Sequence, residues 1–203
     1  MNYSITQFWK ELDKSKYTFD EATKTFSSKE NNLVLDFNNI DWVTFDTGSS
    51  CTFNTGSDCT FKTNSDCTFD TNSHCTFDTG SDCTFDTSSS CTFKTGSDCT
   101  FDTKSHCTFK TSSYCTFNTG VKCKFKTGYN CIFDTGGNCI FKTGEQCVVV
   151  RRDVYEIIEL EEWKEIKLNE YGVKWYIVIE EEKKKVTLEL TNEQLEKIKD
   201  LIK

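Results

Sequence analysis

A mostly β chain, wound as a two-sided parallel β-solenoid with 16-residue coils, is the fold predicted by three observations. All 13 cysteines fall at one spacing of eight residues, from Cys51 through Cys59 and Cys67 to Cys139 and Cys147, which marks a tandem repeat. Each unit opens with five alternating residues rich in Thr and Phe, such as Cys83-Thr84-Phe85-Asp86-Thr87, and closes with turn formers, Ser88-Ser89-Ser90, the pattern of a short strand and a corner. The variable charged position separates by sign only when alternate units are compared. One set reads Asn54, Asp70, Asp86, Asp102, Asn118, Asp134, and the other Asp46, Lys62, Asp78, Lys94, Lys110, Lys126, Lys142.

Strand geometry orients each unit. Successive side chains point to opposite faces, so Cys83, Phe85 and Thr87 share one face while Thr84 and Asp86 share the other. The position of Asp86 holds only Asp, Asn or Lys throughout the array, so that face is the solvated one. Eight residues cannot close around a core, whereas two strands and two corners can, and sign segregation at period 16 is what two opposed sheets produce. Phe then faces Phe along the centre, and each Cys lies across from an inward Thr of the other sheet. Val43 to Cys147 supplies 14 strands, hence about seven coils and a rod of about 34 Å at roughly 4.8 Å per rung. The first corner residue is mostly Gly or Asn, as at Gly48, Asn64 and Gly96, which predicts a left-handed conformation there with the neighbouring inward Thr hydroxyl satisfying a corner amide. The chain contains no proline, in keeping with a backbone committed to ladders.

The run Cys-Thr-Phe-Asp-Thr-Gly-Ser-Asp at residues 75 to 82 resembles the octapeptide arrays of uncharacterised phage, large-virus and bacterial proteins. More distantly it is similar to pentapeptide-repeat and other β-solenoids. The resemblance covers residues 43 to 150 and implies a solenoid; it supplies no activity and no catalytic residue.

Residues 1–42 are expected to cap the rod. Ser4 with Gln7 forms a capping box ahead of Phe8, Trp9 and Leu12, which predicts a short helix, and residues 33 to 42 read as strand material entering the first coil. Residues 151–203 are expected to form a small α+β capping or assembly domain. In it, the alternating run Val173, Trp175, Ile177, Ile179 and a second run Val186, Leu188, Leu190 predict a hairpin. Thr191 with Gln194 then opens a terminal helix striped by Leu195, Ile198, Leu201 and Ile202. No stretch approaches a membrane span, and the first residues lack the layout of a signal peptide.

Consecutive cysteines lie on opposite sheets and edges, too far apart to bond, and those 16 residues apart stack within bonding distance but would pair arbitrarily and in odd number, so buried free thiols and a reducing, cytoplasmic setting are expected. Stacked thiols form a row rather than a tetrahedron, and no metal or cofactor site is expected. His74 and His106 share one corner position two coils apart, roughly 10 Å, too far for joint ligation. Asp66, Asp82 and Asp98 form a column that could hold Ca²⁺ beside corner carbonyls, although calcium rolls use a different repeat. Outward threonines such as Thr60, Thr76 and Thr92 form ladders of the kind that bind ice, but charged columns flank them and Lys124, Ile132 and Ile140 interrupt them. With no nucleophile, histidine and carboxylate together and no phosphate loop, an enzyme is not expected. A net charge of -8 argues against nucleic acid as a partner. What remains is a rigid scaffold whose partner is a protein or a second copy, with the column Lys94, Lys110, Lys126, Lys142 and the column Asp70, Asp86, Asp102, Asp134 as the candidate interface.

Overall fold

Alternation in the octapeptide becomes alternation in burial. In Thr84–Thr87 the side chains read exposed, buried, exposed, buried, and the same order recurs in Thr68–Thr71. The computed structural model describes residues 3–38 and 40–179, in which two parallel sheets stack as a β-solenoid of about eight coils. One sheet, here the acidic sheet, carries its parallel strands from Leu33–Phe37 to Val148–Arg151. The other, the basic sheet, runs from Thr25–Ser28 to Ile140–Lys142. Parallel stacking therefore begins one coil before the first octapeptide, because Leu33, Leu35 and Phe37 fill the inward places otherwise taken by Cys, Phe and Thr. Register is strict: Thr84, Phe85 and Asp86 sit on Thr100, Phe101 and Asp102.

Two aromatic geometries fill the centre. Within a sheet, rings one coil apart stack nearly flat, as in Phe77 and Phe93 at 4.8 Å and 2°. Across the sheets they meet edge to face, as in Phe77 and Phe85 at 5.2 Å and 76°. Both are favoured arrangements of the ring quadrupole, each worth about 0.5–1.5 kcal/mol beyond the area buried, and burial of a ring adds about 2–3 kcal/mol. The phenylalanine ladder is thus the main source of cohesion along the axis.

The corners differ from expectation. Left-handed φ falls on the third corner residue, immediately before each Cys, as at Asp66 (61°), His74 (63°) and Asp82 (57°). There the amide reaches the next coil, as when Asp82 N–H donates to the Ser97 carbonyl at 3.0 Å. Glycine at the first corner position serves clearance instead. A Cβ on Gly96 would stand 2.2 Å from Ser81 Oγ in the coil below, and that hydroxyl accepts from the Ser97 amide at 3.0 Å. Asn31 and Asp41 side chains accept in the same way under Gly48 and Gly56. The inward threonines also reverse their expected role. Thr95 Oγ1 donates to the Gly96 carbonyl at 3.4 Å rather than accepting from an amide, and among the described residues the buried hydroxyls of Thr47, Thr71, Thr87, Thr119, Thr135 and Thr143 make no hydrogen bond to a nitrogen or oxygen.

Both ends are closed by antiparallel strands. Ser4–Gln7, where a short helix was expected, is a strand paired antiparallel to Leu33–Phe37. Open ladder groups on the first rung outweigh a capping box here. Ile5 turns inward, and Tyr3 stacks on Phe37 at 4.8 Å and 8°, so the segment follows period two. Among the described residues the one helical element is the 3-10 turn Lys14–Lys16. At the far end Glu156–Glu159 pairs with Val148–Arg151 and Glu165–Leu168 with Ile140–Lys142, burying Ile158, Leu160, Ile166 and Leu168 over the last phenylalanines. Tyr176–Val178 then pairs with Glu165–Leu168. Its inward residue is Tyr176, so Val173, Trp175, Ile177 and Ile179, the alternating run expected as a hairpin arm, stay exposed. The expected second hairpin arm, Val186 to Leu190, and the helix from Thr191 lie outside the described residues.

Candidate interaction surface

Rung register converts the sign pattern of the sequence into columns. Lys94, Lys110, Lys126 and Lys142 occupy successive rungs of the basic sheet. On the opposite sheet Asp70, Asp86 and Asp102 do the same, followed by Asn118 and Asp134. Like charges placed directly across adjacent strands repel, so each column costs stability when it faces only water. The N-terminal half of the basic column provides a contrast, since Asp46, Lys62, Asp78 and Lys94 alternate in sign. Lys94 Nζ lies 3.0 Å from Asp78 Oδ2. No acidic residue follows among the next octapeptide rungs of that column, where Lys110 and Lys126 are exposed.

The acidic column is modified at its C-terminal end by a residue the repeat did not point to. Arg152 Nε donates to Asp134 Oδ1 at 2.7 Å, its Nη2 donates to Asn118 Oδ1 at 2.6 Å, and Asn118 Nδ2 donates to Asp102 Oδ1 at 3.3 Å. This chain of bonds neutralises the last rungs, whereas Asp70 and Asp86 are exposed with no ion pair among the described residues. The only sequence signal was the change of composition at Arg151-Arg152. Arg151, next to it, is fully buried and ion-paired to Asp153 at 2.6 Å, and it donates to the carbonyls of Val173 and Glu170. Burial alone would raise the Asp153 pKa. Hydrogen bonds from Arg151 and the Gly172 amide, together with the Arg151 charge, outweigh it and hold the carboxyl below the ordinary range.

The other candidates are placed as follows. His74 and His106 are exposed corner residues of one column. Asp66, Asp82 and Asp98 stack on the opposite edge with their side chains exposed. Among the described residues no group of three or more His, Cys, Asp or Glu side chains converges as a metal site. Outward threonines stack in register, Thr60 under Thr76 under Thr92, each rank lying beside a charged column. An open groove of about 520 Å³ runs along one edge, passing Asp46, Lys62 and Asp78. No helix among the described residues is long and apolar enough to cross a membrane.

All 13 cysteines are free and buried. They form two columns, one at each edge, and each thiol sits across the corner from the inward Thr four residues earlier, as Cys83 does with Thr79. The thiols of Cys83, Cys115 and Cys123 are pushed up, by hydrogen bonds with the thiols above and below and by burial. Comparison with protein-family models, with curated proteins and with solved structures finds no match to this chain.

Proposed function

We propose that the chain is a non-enzymatic structural rod that associates with further copies of itself through its two charged sheets. The observation that carries this reading is the uninterrupted lysine column beside an internal control. The same column alternates in sign over its first four octapeptide rungs and then sets Lys110 and Lys126 in succession before Lys142 meets Glu165 of the capping strand, a run of like charge that a surface of opposite sign would offset. Asp70 and Asp86 on the acidic sheet have the required sign and the same rung repeat, because they belong to the same solenoid. The two faces differ, so the contact is heterologous and propagates from copy to copy. The described capping strands pair with the end rungs of the rod.

Sedimentation across ionic strengths tests this. Wild-type protein is expected to form higher species at low salt and to dissociate as salt screens the columns. Lys94→Glu, Lys110→Glu and Lys126→Glu together are expected to leave a monomer at every salt concentration. A wild type that is monomeric throughout would exclude the interface.

A further inference from the structure

We propose that each cysteine column binds soft monovalent metal ions of the Cu(I) class, held in line between successive sulfurs. The columns lack the convergence a four-coordinate ion needs, but an ion that takes two donors in line needs only a straight row at the right pitch. Every thiol from Cys67 to Cys147 makes the same two contacts, to the carbonyl two residues before it and to the one nineteen residues before it. Cys83 does so with Ser81 and Asn64, and Cys99 with Ser97 and Gly80. Equivalent contacts mean equivalent rotamers, so the sulfurs repeat with the coil, whose pitch is given by the stacked rings at 4.8 Å. Zinc–thiolate bonds are about 2.3 Å, and a monovalent ion bonded at a similar length would place two in-line sulfurs roughly 4.6 Å apart. The row therefore fits an ion between each pair of thiols with little adjustment, and thiolate sulfur selects soft ions such as Cu(I).

Charge decides between ions. Each monovalent ion replaces one thiol proton: an S–H bond breaks, the proton leaves to solvent, and the ion bonds to that sulfur and to the next. The core stays neutral at every step, with one proton remaining on a terminal sulfur. A divalent ion is neutral only when it takes both flanking thiolates, so divalent ions could fill no two adjacent gaps without leaving a net positive charge among phenylalanines, which the apolar interior strongly penalises. The column from Cys51 to Cys147 holds seven thiols and so six gaps, and the column from Cys59 to Cys139 holds six thiols and so five gaps. The exchange forfeits thiol-to-carbonyl hydrogen bonds of 3.3–3.9 Å, which are weak at such lengths. At the C-terminal end the amides of Cys123 and Cys131 already point to the sulfurs of Cys139 and Cys147 at 3.4 Å, positioned to favour thiolate.

The test is equilibration of the reduced, full-length protein with Cu(I) under anaerobic conditions, read by native mass spectrometry, circular dichroism and X-ray absorption. Saturation is expected at about eleven ions, each displacing one proton, with two sulfurs per copper and the sheet signal retained. Cys83→Ser, which removes an interior bridge, is expected to cost two ions, and Cys51→Ser, at a column end, one. Three sulfurs per copper, uptake only on loss of the sheet signal, no uptake at all, or equal losses from the two substitutions would each overturn the proposal. Should Cys83→Ser not fold, the wild-type stoichiometry and sulfur number decide it alone.

Discussion

Phe85 and Asp86 are neighbours in sequence with opposite surroundings, one sealed between stacked and edge-on rings and the other in water. Replacing Phe85 by Ala is expected to cost about 3–5 kcal/mol in denaturant unfolding, through lost burial and the cavity left behind. Replacing Asp86 by Ala should stay within about 0.5 kcal/mol; equal effects would mean the faces are reversed. The inward face was readable because a period of two admits only two assignments and charges at one position choose between them. The corners were not, since glycine has two physical uses, positive φ and absence of a Cβ, and its identity does not say which applies. Here Asp66, His74 and Tyr114 carry the positive φ, and Gly96 provides room. Gly96→Ala should therefore destabilise more than Gly144→Ala, whose nearest neighbours are 3.1 Å or more away, and Ser81→Ala should recover part of the loss.

The capping elements were the least legible. A serine and a glutamine three residues apart satisfy a helix rule, yet Tyr3 to Gln7 also alternates, and an unpaired rung beside it favours pairing. The connecting turn places Phe8 and Trp9 at φ of 49° and 67°, both exposed, in a region bulky side chains adopt at a cost. Phe8→Asn with Trp9→Gly, residues suited to such hairpin turns, is expected to raise stability by about 1 kcal/mol. At the other end Arg151 and Asp153 tie the last strand to residues 170–173. Because Asp153 is held below the ordinary carboxylate range, it adds stability above the unfolded carboxyl's pKa of about 3.9, and that contribution is lost as pH falls through its folded value. Tryptophan fluorescence from Trp163 and Trp175 should show the cap loosening in acid. Asp153→Asn should bring that loosening to neutral pH, and an unchanged titration would remove the ion pair from the account.

At the scale of the whole molecule, sequence and structure agree on a two-sided rod because charge segregation at period 16 is a global property that no single strand reveals. The sequence did not disclose Arg152 folding back over Asn118 and Asp134, a contact across 34 residues of chain. Nor does register alone say whether the charged sheets meet water or one another. A pair of complementary variants tests that most directly. One carries Lys94→Glu, Lys110→Glu and Lys126→Glu, the other Asp70→Lys, Asp86→Lys and Asp102→Lys, so that in each the reversed run carries the same sign as the main run of the opposite sheet. Measured by light scattering at low salt, each alone is expected to be monomeric, and an equimolar mixture is expected to assemble and to come apart on addition of salt. A mixture that stays monomeric while the wild type assembles, or single variants that assemble as readily as the wild type, would contradict an interface made by the two charged sheets.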